Sequence, residues 1–135
     1  MKVLLHESFA VTPTPKGRPR FTRSGHAFTP AKTRAAEAEL KLLMRSRYRG
    51  APSKAPLWVA LEFQFKRTKA AAKREYHTQR GDVDNLAKVV ADCGNGIFWE
   101  DDAQIVSLTA RKFYGPSDKI SVAVFELAPG DVLPF

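Results

Sequence analysis

Asp82 and Asp84 stand two residues apart. Lys88 follows Asp84 by four residues, Asp92 follows Lys88 by four, and a second acidic cluster, Glu100-Asp101-Asp102, comes shortly after. Carboxylates gathered with too few bases cost folding stability unless a cation neutralises them. Oxygen-only donors suit a hard divalent ion, Mg²⁺ or Mn²⁺, while a single cysteine, Cys93, and three scattered histidines offer zinc no ligand set. A divalent ion held by carboxylates activates water and stabilises a leaving oxygen, the two requirements for hydrolysing a phosphodiester. A lysine one turn beyond Asp84 can orient that water or neutralise charge on the phosphate. The plainer alternative is that Asp84 caps a helix and pairs with Lys88, an interaction of a few tenths of a kcal/mol. That alternative leaves Asp82 and the second cluster without a role.

The charge around these acids has the matching sign. The 135 residues contain 22 Lys+Arg against 14 Asp+Glu, a net charge of +8, and a sequence pI near 9.9. Residues 82–102 nevertheless hold six acids and one base, so the remaining 114 residues carry +13. A basic body attracts phosphates while its concentrated acids gather cations, as expected of a metal-dependent enzyme acting on nucleic acid. The 44% hydrophobic content excludes wholesale disorder. One cysteine excludes an internal disulfide, and no apolar run reaches membrane-spanning length, so a cytoplasmic protein with no membrane partner is expected.

Helices and strands must bring the two acidic clusters together. Residues 3–11 form an expected first strand, ended by Pro13, Pro15, Gly17 and Pro19. From Lys16 to Arg34 the chain carries Lys16, Arg18, Arg20, Arg23, Lys32 and Arg34 with no acid, an extended basic arm. Thr29 as N-cap and Pro30 as first helical residue open a helix to about Tyr48 with Ala36, Leu40, Leu43 and Met44 on one face. Strict alternation marks 57–66 as a strand, and residues 67–80 are polar and basic without period. A second helix is expected from Asp84, as its N-cap, to Cys93. On its wheel Asp84, Lys88 and Asp92 span about 80°, opposite Leu86, Val89, Val90 and Cys93. Residues 104–114 and 119–127 form two strands, expected as a hairpin around Gly115-Pro116-Ser117-Asp118. The fold class is therefore α+β: one domain over residues 1–135, with a small mixed sheet of about four strands covered by two helices. A parallel crossover is expected through the second helix if the strands flanking it are neighbours.

Asp82-Val83-Asp84-Asn85-Leu86-Ala87-Lys88, then Asp92, then Phe98-Trp99-Glu100-Asp101-Asp102-Ala103-Gln104-Ile105-Val106 resembles the core signature of the RusA family of Holliday-junction resolvases. Lys16-Gly17-Arg18-Pro19-Arg20-Phe21, followed by Phe28-Thr29-Pro30, resembles the N-terminal pattern of its phage-type members. The resemblance implies a Mg²⁺-dependent endonuclease that resolves four-way DNA junctions as a homodimer, without a small-molecule cofactor, and is nucleoid-associated while acting on DNA. Asp82, Asp84 and Asp102 carry over as catalytic metal-binding carboxylates and Lys88 as the essential lysine. Asp92, Asp101 and Asn85 carry over as supporting residues.

DNA contacts are expected from Lys16, Arg18, Arg20 and Arg23 of the arm and from Lys73, Arg74 and Arg80 of a mobile loop. Trp58 and Trp99 are expected to be buried, with Trp99 the better candidate for stacking on a base because it adjoins the second acidic cluster. Two other functions fit the same residues: a nuclease of this mechanism acting on flaps, forks or RNA, and a basic nucleic-acid-binding protein whose acids are structural.

Overall fold

A computed structural model describes residues 1–17, 20–79 and 81–133. Arg18 and Arg80, two of the cations expected on DNA, lie outside the described residues. Strand β1 (Lys2–Phe9) leads into the arm, which carries two short strands, β2 (Arg20–Phe21) and β3 (Ala27–Phe28). Helix α1 (Ala31–Arg47), strand β4 (Leu57–Lys66), helix α2 (Val83–Gly94) and strands β5 (Ile105–Gly115) and β6 (Lys119–Glu126) follow. The main sheet is mixed, in the order β1-β6-β4-β5, with β4 and β5 parallel and β6 antiparallel to both β1 and β4. The α+β class, the four-stranded sheet and the two helices agree with expectation, as does the parallel crossover through α2.

Alternation builds the core. Leu57, Val59, Leu61 and Phe63 of β4 share one sheet face with Ile120, Val122 and Val124 of β6, and all are buried. Leu40 and Met44 of α1 and Leu86, Val89, Val90 and Cys93 of α2 close over that face. Apolar burial at about 25 cal/mol per Å² is what holds the helices there. Both helices start one residue or more away from the expected place. Pro30 is the N-cap of α1, not its first residue, and Asp82, not Asp84, is the N-cap of α2.

The expected final hairpin does not form, since β4 lies between β5 and β6. The link 116–118 passes over the end of β4: Ser117 O accepts from Gln64 Nε2 at 2.7 Å, and Asp118 Oδ1 accepts from the Lys66 amide at 2.8 Å. Two strand spacings are about 9.6 Å, which the four steps from Gly115 to Lys119 can span. A turn-like sequence therefore fits a strap as well as a hairpin. A Cβ at residue 115 would fall 2.3 Å from Gln64 Cδ, so the strap needs its glycine. Burial decides the order, because Ile120, Val122 and Val124 of β6 fill the centre while Val106 and Leu108 of β5 stand exposed at the edge.

The arm is not simply extended. Its two short strands pair around a turn in which the Thr22 amide donates to His26 O at 2.9 Å and the His26 amide to Thr22 Oγ1 at 3.1 Å. The segment after β4 is folded as well. Thr68 caps a short turn at Lys69–Ala71, Arg67 donates to the carbonyls of Ala71 and Arg74, and His77 stacks on Phe65 at 3.8 Å. No helix among the described residues is long and apolar enough to cross a membrane.

Candidate active site

The start of α2 presents its carboxylates without consuming them. Asp82 is exposed, and as N-cap its side chain makes no capping hydrogen bond. Asp84, also exposed, lies in the first helical turn, where the positive end of the helix dipole favours both charges. Lys88 is exposed one turn further, and among the described residues it forms no ion pair, so the alternative of a plain Asp84–Lys88 bridge is not what engages it. The loop before Asp82 is held from the sheet. Lys112 Nζ on β5 donates to Gln79 O at 2.9 Å and Gly81 O at 2.8 Å, and Gly81 adopts φ +105°, a left-handed conformation that favours glycine.

The second cluster sits on a short 3₁₀ turn, Asp102–Gln104, immediately before β5. Asp101 caps it, its Oδ1 accepting from the Ala103 amide at 2.9 Å, while Gln104 Oε1 accepts from the Asp101 amide at 2.9 Å. Gln104 Nε2 then donates to Ser53 O at 2.8 Å and Ala55 O at 2.9 Å, fastening the turn to the chain ahead of β4. Asp101 is thus committed to capping, and Asp102, half-buried beside it, is left to act. Burial, followed by the neighbouring carboxylates of Asp101 and Asp92, pushes the Asp102 carboxyl above its usual range. The turn that carries Asp102 packs against its own chain's α2.

Asp92 and Asn85 face a different partner. Lys16 Nζ donates to Asp92 Oδ2 at 2.7 Å, and Asn85 Nδ2 donates to Lys16 O at 3.0 Å. Hydrogen bonding to Asp92 raises the Lys16 pKa, so the ammonium stays charged. Lys16, expected on DNA, is turned inward. Arg20, Arg23, Lys73 and Arg74 are exposed. Trp99 is fully buried, its Nε1 donating to Ala91 O at 3.2 Å and Asn95 Oδ1 at 3.1 Å, which removes it as a stacking platform. Trp58 instead stacks on Phe125 at 4.5 Å, on the sheet face away from the helices.

Lys112 and Gln104 were not singled out by their sequence context. Alternation along β5 offered a signal for Lys112, since it places a cation on the helix-covered face, opposite buried Phe63. Asp82, Asp84 and Asp102 are all carboxylates, the donor type that suits Mg²⁺ or Mn²⁺. Among the described residues no three His, Cys, Asp or Glu side chains are gathered closely enough to hold an ion as they stand.

Residues 10–125 match the family model described as Endodeoxyribonuclease RusA. A curated relative, the uncharacterized protein YqaN of Bacillus subtilis (strain 168), is 37% identical over 51 residues, 38% of this chain and 36% of that protein. The chain thus spans about a third of that relative's length. The family match, by contrast, runs from the end of the first strand, through the arm and both acidic clusters, into the last strand, and on that extent the protein belongs to the RusA endodeoxyribonuclease family.

Proposed function

We propose that this protein is a Mg²⁺-dependent endonuclease, with Mn²⁺ able to substitute, that resolves four-way DNA junctions by paired nicks. Asp82, Asp84 and Asp102 would hold the metal, which when bound supplies an acidified water and charge stabilisation for the leaving oxygen. The observation that carries the reading is the packing of the turn Asp102–Gln104 against the chain's own α2, which brings the second acidic cluster to the helix that Asp82 caps. Lys88 neutralises charge on the reacting phosphate, consistent with its exposed position on α2. Gln104 and Asp101 hold the turn that carries Asp102, and Lys112 holds the loop that carries Asp82. The exposed bases Arg20, Arg23, Lys73 and Arg74 contact backbone phosphates of branched DNA. The active form is a homodimer, each chain one catalytic domain, because paired nicks in a two-fold symmetric junction call for two symmetric sites.

Labelled four-way, flap, fork and duplex DNA, each with and without Mg²⁺, test this reading. Symmetric nicks in the four-way substrate, only with Mg²⁺, are expected. Preference for flaps or forks would reassign the substrate, and binding without cutting under every metal condition would make the acids structural.

A further inference from the structure

Lys16 and Gly17 are held by four contacts from two helices. The Lys16 ammonium lies 2.7 Å from Asp92 Oδ2 on α2 and 3.7 Å from Glu37 Oε1 on α1. Its carbonyl accepts from Asn85 Nδ2 at 3.0 Å, and the next amide, that of Gly17, donates to Thr33 Oγ1 at 3.0 Å. Asn85 and Asp92 are seven residues apart and so share one face of α2, about 10 Å from end to end. The chain at Lys16 therefore lies along that face, roughly 50° around the helix from Lys88 and roughly 90° from Asp84. Beyond it, Arg20, Phe21, Ala27 and Phe28 are exposed and pair with one another in the β2–β3 hairpin, and the chain enters α1 after Pro30.

We propose that Lys16, Asn85 and Asp92 form a clip that holds the root of the basic arm against α2, making Asn85 and Asp92 positioning residues for the arm. The clip presents Arg20 and Arg23 from a fixed point beside the carboxylates. A loop free at its root would sample many orientations and lose ordering entropy on binding DNA. The functional consequence rests on the reading that the arm contacts branched DNA, whereas the clip itself is a property of the protein alone.

Two measurements on the full-length protein test it, with Lys16→Met, Lys16→Arg, Asn85→Ala and Asp92→Asn. The first is hydrogen exchange at the Gly17 amide in the DNA-free protein, with thermal melts to confirm that each variant folds. The second separates four-way-junction affinity from the single-turnover cleavage rate at saturating protein. The Met, Ala and Asn variants should each speed Gly17 exchange and weaken junction affinity about three- to tenfold, the equivalent of one lost hydrogen bond. The loss should fall on affinity rather than on the saturated rate, and Lys16→Arg should restore both measurements. Asp92→Asn is the sharpest case, because removing a negative charge near phosphates would by itself tighten DNA binding. Tighter binding by Asp92→Asn, or a slower saturated rate with Gly17 exchange unchanged, would overturn the clip and return Asp92 to the chemistry. Failure of the wild-type protein to bind any branched DNA would overturn the proposed function, while Gly17 exchange would still decide whether the clip exists.

Discussion

Asp82, Asp84 and Asp102 differ from Asp92 and Asp101 in what the fold has already bound them to. Asp101 caps a turn and Asp92 holds Lys16, whereas Asp82 makes no capping bond and Asp102 is crowded by its neighbours. Replacing Asp82, Asp84 or Asp102 singly by Asn should abolish cleavage while junction binding persists or tightens, since on the proposed function each change removes a metal donor and a negative charge near DNA. Near-normal turnover in one variant, measured under single-turnover conditions, would remove that residue from the site. His77 offers a second residue-scale test. Burial and then the Lys112 charge lower its pKa from the usual 6.5, so the unfolded chain binds that proton more tightly. Its contribution to stability is therefore full above pH 6.5 and is lost as pH falls below it. The wild-type melting temperature should drop between pH 7.5 and 5 by more than that of His77→Phe. Parallel curves would show that His77 takes no part in the drop.

Helix α2 is held by one contact at each end on which its placement depends. Helix α2 ends where Gly94 meets the ring of Trp99, and a Cβ there would lie 2.3 Å from Trp99 Cζ2. Gly94→Ala should destabilise the protein by about 1–3 kcal/mol, the usual range for overpacking a filled core, as read by denaturant unfolding. An unchanged midpoint would mean that Trp99 can move aside. At the other end of α2, the Lys112 ammonium holds the carbonyls of Gln79 and Gly81, just before Asp82. Lys112→Met should cost about 1–2 kcal/mol of stability for two partly exposed charged hydrogen bonds. Because Asp82 would also lose its support, the saturated cleavage rate should fall more than junction affinity. Equal losses in rate and affinity would make Lys112 a general stabiliser instead.

At the scale of the whole molecule, the proposed dimer raises the question of which chain completes each site. The turn that carries Asp102 packs against its own α2, which favours sites built within one chain. Mixing Asp82→Asn protomers with Asp102→Asn protomers should therefore yield heterodimers with no active centre. Recovery of single-strand nicking would mean that the partner supplies Asp102.

The composition, the alternation of residues 57–66 and the periodicity of α2 determined the α+β class, the buried face and the acids displayed opposite it. These follow from short-range spacing, which the sequence states directly. The position of β6 did not follow, because Gly115-Pro116-Ser117-Asp118 serves a hairpin or a strap equally well. Only the burial of Ile120, Val122 and Val124 between two strands selects the strap. The division of the acids was equally hidden. Asp92 and Asp102 are the same residue type, 8 and 18 residues along the chain from Asp84, and what divides them is Lys16, 76 residues from Asp92. A contact across that separation exists only once α1, α2 and the arm are packed together, so the tertiary structure alone decides that Asp92 is neutralised by the protein's own lysine.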